Sequence, residues 1–147
     1  TSRPDSSERE KSGAGTPDFS LSDESGREVR LSSLRGRNVV LVFYPGDETP
    51  VCRRQLCAFR DHWSALQARD VAVFGVNPQS AESHARFRSK HAFPFPLLVD
   101  RGRQVAALYH AKGLIVKRTV YLIGKDGRIR FARRGNPPVE EVLAAAE

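Results

Sequence analysis

Two cysteines, Cys52 and Cys57, are the residues of this sequence whose type and spacing best suit chemistry, because a thiolate is a strong nucleophile and a redox-active group. They follow an apolar run at 39–44 and a polar loop that ends in Thr49 and Pro50. This order places Cys52 in the first turn of a helix, where unpaired backbone N–H groups and the positive end of the helix dipole favour negative charge. We therefore expect Cys52 to act as a thiolate nucleophile.

The spacing of five residues keeps the two thiols apart in a regular helix. Side chains at positions i and i+5 differ by about 140° around the helix axis, whereas a disulfide needs Cα atoms roughly 4.4–6.8 Å apart and converging Cβ atoms. Cys52 and Cys57 therefore cannot bond while the helix is intact. If they do bond, the first turns of the helix must unwind, which predicts a helix with two redox-linked states.

Three other interpretations of the cysteines follow from the residues. The first treats Cys57 as a small core residue beside Leu56 and Phe59, since a free cysteine packs like a small apolar side chain. A metal site would need His62 as a third ligand, but the spacings typical of zinc sites are absent from the sequence, so we expect no metal. The C-x4-C spacing also differs from the C-x-x-C motif of disulfide oxidoreductases.

Strand and helix patterns alternate along the chain, and they predict an α/β fold with a central mixed β-sheet flanked by helices. The apolar run 39–44 predicts a strand buried on both faces, and apolar residues at three- and four-residue steps predict an amphipathic helix over 49–68 that carries both cysteines. The other predicted elements are a hairpin of 19–21 and 29–31, a strand at 71–76, a helix at 80–91 capped by Ser80, a strand at 97–99, a helix at 101–108, a hairpin of 118–123 and 128–132, and a helix at 137–146.

The length and composition fit one globular domain. The chain has 147 residues, of which 39% are hydrophobic, enough for a single packed core. Residues 1–16 are polar, contain Gly, Ser and Pro, and lack apolar periodicity. We therefore predict a disordered tail at 1–16, followed by one domain at 17–147.

Charge and hydropathy limit the expected partners. The net charge of +7 is compatible with a nucleic-acid binder, but the basic residues are scattered, with pairs such as Arg53-Arg54 and Arg133-Arg134 as the nearest runs. We expect a generally basic surface and no nucleic-acid partner.

No apolar run approaches the roughly 20 residues of a membrane helix, and the N-terminus lacks the apolar core of a signal peptide, so we expect no membrane contact and a cytoplasmic location.

Residues 45–52 read Pro-Gly-Asp-Glu-Thr-Pro-Val-Cys, and this stretch resembles the PxxxTxxC active-site pattern of the peroxiredoxins, the AhpC/TSA-type thiol peroxidases. With its second cysteine five residues later, the stretch 52–61 resembles the bacterioferritin comigratory protein branch, also called peroxiredoxin Q. The similarity spans 15–147, nearly the whole predicted domain. Its other blocks lie at 14–21, 31–36, 75–84, 95–100 and 117–123.

The resemblance implies a thioredoxin-like fold with an N-terminal β-hairpin extension, and a thiol peroxidase that reduces hydrogen peroxide and organic hydroperoxides in antioxidant defence. It implies that Cys52 is the peroxidatic cysteine, oxidised to a sulfenic acid, and that Cys57 is the resolving cysteine of an intramolecular disulfide. By the same pattern, Thr49 hydrogen-bonds the peroxide and Pro45 shields the thiolate from water. Arg118 would hold the thiolate and polarise the peroxide.

The partners that the resemblance implies are a peroxide substrate and a dithiol reductant such as thioredoxin or a glutaredoxin-like protein, with no metal or organic cofactor. Because resolution takes place within one chain, we expect a monomer, with a weak dimer as the alternative. Three residues depart from the family pattern, and one of them, Gly124 where the family often has Asp, should affect only a turn. Val51 replaces the usual Gly before the cysteine, and Gln55 replaces a Glu that braces the active-site Arg, so residue 55 can form hydrogen bonds but carries no charge.

Two other functions stay open on the residues alone. A redox sensor would use the unwinding helix to change a surface that a partner recognises, and the net charge of +7 would suit an acidic partner or DNA. A copper or zinc carrier on the same fold would bind its metal through the cysteines.

Overall fold

One mixed sheet of five strands and a separate two-stranded hairpin form the β-structure of the computed structural model, which describes residues 16–147. The strands are β1 (Ser20–Ser22), β2 (Glu28–Arg30), β3 (Asn38–Phe43), β4 (Val71–Asn77), β5 (Leu97–Val99), β6 (Thr119–Ile123) and β7 (Ile129–Arg134). The α-helices are α1 (Pro50–Asp61), α2 (Trp63–Ala68), α3 (Ala81–His91), α4 (Gln104–Leu108) and α5 (Val139–Ala144), and short 3-10 helices cover Leu31–Leu34 and Arg101–Arg103.

Strand β3 is the centre of the large sheet, whose strand order is β5-β4-β3-β6-β7. It runs parallel to β4 and antiparallel to β6, and the outer strand β7 is antiparallel to β6. All six residues of β3 are buried, because helices or the N-terminal segment cover both faces of the sheet. The predicted α/β class, the central mixed sheet and the doubly buried strand are confirmed.

The two faces of the sheet carry separate halves of the core, since successive residues of a strand point to opposite sides. Val40 and Val42 belong to one half, together with apolar residues of α1, α2, α3 and α5. Val39 and Leu41 belong to the other half, together with residues of α4 and the N-terminal segment. Cys52 lies in the first half, so one of the two thiols is part of the packed core.

The N-terminal hairpin is also confirmed. Strands β1 and β2 pair in antiparallel fashion, and the Asp23 carboxylate closes their turn by accepting from the backbone N–H groups of Ser25 and Arg27. The predicted tail, apart from Thr16, lies outside the described residues. Within the part of the chain that is described, no helix combines the length and the apolar character that a bilayer span requires.

The helix predicted over 49–68 was wrong in one respect, because two helices separated at His62 occupy this range. His62 leaves the helical region with φ −100° and ψ 18°. Its backbone N–H and its ring Nδ1 both lie against the carbonyl oxygen of Ala58, at 3.1 and 2.9 Å. A side chain that enters the backbone hydrogen-bond ladder breaks its regularity, and α1 therefore ends at Asp61 before α2 begins at Trp63.

Two other helices are shorter than predicted. In the range 101–108, Gly102 and Arg103 adopt left-handed backbone angles, with φ of 69° and 58°, so α4 begins only at Gln104. The last helix begins at Val139 because Pro138 is extended. In contrast, α3 has the predicted cap, since the Ser80 side chain accepts a hydrogen bond from the backbone N–H of Ser83.

Candidate active site

Cys52 lies in the first turn of α1, as predicted, and its side chain is fully buried. The polar loop after β3 leads into this helix, and Pro50 begins it, a position where the missing backbone N–H of proline costs nothing. The sulfur thus lies near the unpaired N–H groups of a helix start, inside the core half that contains Val40 and Val42. Burial thus shields the sulfur from water, and the helix start places unpaired backbone N–H groups close to it.

Arg118 donates a side-chain hydrogen bond to Cys52, with Nη2 at 3.2 Å from Sγ. It immediately precedes β6, whereas the sequence predicted it as the first residue of that strand. Pairing of β3 with β6 places Thr119 opposite Phe43, and this register brings Arg118 to the end of β3 where the cysteine loop begins. A guanidinium at this distance stabilises a thiolate by a charge-assisted hydrogen bond.

Gln55 braces Arg118 from the same helix that carries Cys52. Its Oε1 accepts from Arg118 Nη1 at 2.8 Å, and its Nε2 donates to the Gly135 carbonyl at 3.3 Å. The expectation that Gln55 still forms hydrogen bonds in place of the family's Glu is confirmed. Because the amide is neutral, it orients the guanidinium without neutralising its charge.

Cys57 lies on the same intact helix, half-buried and packed against the core half that contains Cys52. Both cysteines are free, so the structure contains the reduced pair. The packing interpretation of Cys57 and its predicted redox role are therefore compatible, since the thiol serves as a small core residue while it is reduced.

Thr49 and Pro45 lie in the loop that precedes Cys52. Thr49 is exposed, and its hydroxyl donates to the carbonyl of Gly46 at 3.2 Å. Among residues 16–147, no recorded hydrogen bond joins Thr49 to Cys52. The structure thus links Cys52 and Gln55 through Arg118. Pro45 and Thr49 lie seven and three residues before Cys52 in the chain.

A buried polar cluster around Asp47 was not predicted. The Asp47 carboxylate accepts four side-chain hydrogen bonds, from Tyr44 (2.7 Å), Asn77 (3.2 Å), Ser83 (2.7 Å) and His84 (2.7 Å). Burial alone would raise the pKa of the Asp47 carboxyl, but the hydrogen bonds from His84, Tyr44 and Ser83 outweigh it, so its pKa lies below the usual value. Burial and the neighbouring Asp47 raise the pKa of the Tyr44 phenol well above 10, so Tyr44 stays a donor.

The sequence contained a weak signal for this cluster. Asp47 belongs to the loop quoted as a motif, but His84 is one of two histidines on α3, and the sequence does not distinguish a buried histidine from one on the surface. In the described part of the chain, His, Cys, Asp and Glu side chains do not form groups of three that could bind a metal ion.

Comparison with known sequences gives consistent results over most of the chain. The AhpC/TSA family model matches residues 13–132. Chloroplastic peroxiredoxin Q of Oryza sativa subsp. japonica is 38% identical over 123 residues, which cover 81% of this chain and 57% of that protein. Peroxiredoxin Bcp of Bacillus subtilis is 36% identical over 126 residues, 80% of each chain. The chain thus spans little more than half the length of the rice relative.

Solved structures agree with the sequence comparison. Peroxidoxin BcpB from Mycobacterium tuberculosis matches with a TM-score of 0.82 and 31% identity, over 88% of this chain and 91% of that one. The bacterioferritin comigratory protein of Xanthomonas campestris matches with a TM-score of 0.80 and 25% identity, over 86% and 88% of the two chains. The structures of the latter are trapped intermediate and ligand complexes that concern its alkyl peroxide reduction activity.

Proposed function

Because this chain belongs to the AhpC/TSA family, in its peroxiredoxin Q and Bcp branch, we propose that it is a thiol-dependent peroxidase that reduces hydrogen peroxide and organic hydroperoxides. The matching structures also confirm the expected thioredoxin-like fold. The observation that carries the proposal is the contact of Arg118 Nη2 with Cys52 Sγ, 3.2 Å long, at a buried helix start.

In the oxidation step, the Cys52 thiolate attacks the distal oxygen of the peroxide. An S–O bond forms, the O–O bond breaks, and the leaving oxygen takes up a proton to become water or an alcohol. Arg118 and the backbone N–H groups of the first helical turn stabilise the charge that moves from sulfur to oxygen. Thr49 hydrogen-bonds the peroxide and Pro45 keeps water away. The product is the Cys52 sulfenic acid.

In the resolution step, the first turns of α1 unwind and the Cys57 thiol attacks the sulfur of the sulfenic acid. An S–S bond forms, the S–O bond breaks, and the hydroxyl leaves as water with the proton of the thiol. Unwinding is required because the two cysteines lie on different sides of an intact helix. A dithiol reductant such as thioredoxin then exchanges with the disulfide and restores both thiols.

The same chemistry suggests the setting of the enzyme. The reductant must keep Cys52 and Cys57 reduced between turnovers, and cytosolic thiol systems do so, so we propose a cytoplasmic location. Since both cysteines belong to one chain, resolution needs no second subunit, and we propose a monomer. Light scattering across a dilution series would contradict the monomer if the mass doubled at every concentration.

Mass spectrometry after one equivalent of peroxide tests the central claim. Reduced protein should lose two hydrogens, and peptide mapping should place the new bond between Cys52 and Cys57. Turnover should then require thioredoxin, its reductase and NADPH. A protein that stays reduced under these conditions would contradict the proposed function.

Two serine variants separate the roles of the cysteines. Cys52→Ser should abolish peroxide consumption, because no nucleophile remains. Cys57→Ser should react once at the wild-type rate, stop as the sulfenic acid, and show no thioredoxin-linked turnover. If Cys52→Ser kept full turnover, the assignment of the peroxidatic cysteine would be wrong.

A further inference from the structure

The loop 44–49 between β3 and α1 is bonded to three other parts of the fold. Through the carboxylate of Asp47 it reaches Asn77 at the end of β4 and His84 on α3. The ring of His84 continues to β5, because its Nε2 lies 2.9 Å from the carbonyl oxygen of Leu98. The side chains of Asp47 and His84 are 1% and 0% exposed, so this connection is shielded from solvent.

The proton positions in this connection follow from its partners. A carbonyl oxygen only accepts, so Nε2 of His84 carries a proton toward Leu98. Its Nδ1 lies 2.7 Å from Oδ2 of Asp47. That carboxylate accepts three more hydrogen bonds, from Tyr44, Asn77 and Ser83, and its pKa lies below the usual value. Asp47 and His84 thus form a buried hydrogen-bonded pair, and removal of either side chain leaves the other without its partner.

The position of Asp47 in the chain connects the Asp47–His84 pair to the proposed peroxide site. Asp47 stands two residues after Pro45 and two residues before Thr49. Its backbone N–H donates to Gln79 Oε1 at 2.5 Å, so both its main chain and its side chain are bonded. The next residue, Glu48, has a φ of 65°, a left-handed conformation that persists in a non-glycine residue only where the surroundings enforce it.

We propose that the buried Asp47–His84 pair is a positioning element of the peroxide site, which fixes the loop so that Pro45 and Thr49 stay beside Cys52 while α1 unwinds. This inference rests on the proposed peroxidase function. The bonding partners of the pair lie in the loop 44–49, on β4, α3 and β5, and at Gln79 between β4 and α3. Within residues 16–147, none of these bonds reaches α1. The pair therefore acts on the oxidation step and leaves resolution by Cys57 unaffected.

Asp47→Ala tests the proposal in the full chain. The second-order rate of sulfenic acid formation by hydrogen peroxide should fall by about 10- to 100-fold, as a displacement of about 1 Å in a reacting constellation does. The rate of disulfide formation from the sulfenic acid, and the rate of its reduction by thioredoxin, should stay at wild-type values. A general loss of structure would lower all three rates, not the oxidation rate alone.

Two comparison variants sharpen the result. Asp47→Asn keeps the shape of the side chain and its capacity for hydrogen bonds to His84 and Tyr44, so the oxidation rate should return to within a few-fold of wild type. Asp100→Ala removes another buried carboxylate, which accepts from the N–H groups of Val105 and Ala106. It should lower stability and leave the oxidation rate unchanged.

Defined outcomes overturn the proposal. It fails if folded Asp47→Ala is oxidised at the wild-type rate, or if Asp100→Ala loses as much. If Asp47→Ala does not fold, Tyr44→Phe and Ser83→Ala each remove one donor to the carboxylate, and wild-type oxidation rates in both would also overturn it. An inactive wild-type protein would contradict the proposed function instead, so the two failures are distinguishable.

Discussion

The two sides of Cys52 are restrained in different ways. On the N-terminal side, the loop 44–49 is bonded to β4, α3 and β5 through the buried side chains of Asp47 and His84. On the C-terminal side, the first turn of α1 has no side-chain cap. Thr49 occupies the N-cap position, but its hydroxyl donates to the carbonyl of Gly46 and accepts from no backbone N–H of the helix.

The charges of α1 also weaken its beginning. The first turn contains no acidic residue, whereas Arg53 and Arg54 are exposed cations close to the positive end of the helix dipole. Val51, which replaces the Gly of the family, is 41% exposed, so it gains little from packing while its branched side chain loses rotamer freedom. The start of the helix therefore has few interactions that oppose unwinding.

The contrast indicates a division of labour within one short segment. In the proposed mechanism, the part that recognises peroxide is fixed to the core, and the part that moves for resolution is loosely restrained. The contact between Arg118 and Cys52 ties the first turn of α1 to the sheet, because Arg118 lies directly before β6. In the proposed mechanism, unwinding of the first turn breaks that contact, and reduction of the disulfide restores it.

Removal of the contact between Arg118 and Cys52 should have the largest effect on the oxidation rate. Arg118→Ala should slow sulfenic acid formation by about 10²- to 10³-fold, the usual loss for one donor that stabilises charge in a transition state. Stopped-flow mixing of reduced protein with hydrogen peroxide measures this rate. Arg134→Ala is the matched control, since Arg134 pairs across the ladder with Thr119 and bonds to its hydroxyl.

Arg118→Lys refines this test. It keeps the positive charge but cannot bond Gln55 and the sulfur with one planar group, so its rate should lie between those of wild type and Arg118→Ala. Equal oxidation rates in Arg118→Ala and Arg134→Ala would show that the Arg118 guanidinium does not stabilise the transition state of Cys52 oxidation.

The parts of this arrangement that depend on local pattern were predictable from the sequence. The buried strand at 39–44 shows as a run of branched apolar residues, and the cap of α3 shows as Ser80 before a helical pattern. The place of Cys52 in a first turn follows from the preceding Thr and Pro. Each of these features is decided by residues within one or two turns of each other.

The features that depend on contacts between residues far apart in the chain could not be predicted from the sequence. Arg118 lies 66 residues from Cys52, and only the family resemblance singled it out, because the register of β3 and β6 that unites them cannot be read from either segment. His84 lies 37 residues from Asp47 for the same reason. The helix break at His62 depends on a side-chain contact with Ala58, which helical periodicity does not reveal.

A stronger start of α1 should slow the mobile part and leave the fixed part unchanged. Arg53→Glu replaces a cation near the helix start by an anion, which should stabilise the helix by about 0.3–1 kcal/mol. Disulfide formation from the sulfenic acid should then slow by about twofold to fivefold, since a free energy of this size opposes unwinding. Trp63, the first residue of α2, provides a fluorescence signal for the movement.

Two kinetic phases separate the effects on oxidation and on resolution. The first phase depends on peroxide concentration and reports oxidation, whereas the second does not and reports resolution. Arg101→Glu is the control, because it makes the same change of net charge at an exposed position outside α1. A second phase in Arg53→Glu as fast as in this control would mean that helix unwinding does not limit resolution.

The far end of the mobile helix is closed by His62, and the smallest expected effect concerns its ring. Nδ1 donates to the Ala58 carbonyl and Nε2 lies 3.2 Å from the carboxylate of Glu140 at the start of α5. The bond to Ala58 and the nearby Glu140 raise the pKa of His62 above 6.5. The pKa of Glu140 lies below 4.5, through a backbone hydrogen bond of its own and the bond to His62.

The direction of the two shifts sets the pH range of this contact. Protonated His62 contributes its full stabilisation below pH 6.5, and the contribution is lost as pH rises through the raised pKa. Ionised Glu140 contributes above pH 4.5 and loses its contribution as pH falls. Both groups are solvent-accessible, so the effect should be small and should weaken with added salt.

Urea unfolding of wild type and His62→Gln at pH 6 and pH 8 measures this contribution. The free energy of unfolding of wild type should fall relative to that of the variant as the pH rises, because glutamine cannot lose a proton. Equal pH dependence in the two proteins would show that the contact between α1 and α5 carries no charge-dependent stability. The far boundary of the helix would then depend on uncharged contacts such as the burial of Leu56 and Phe59, and unwinding during resolution would have to stop before those residues leave the core.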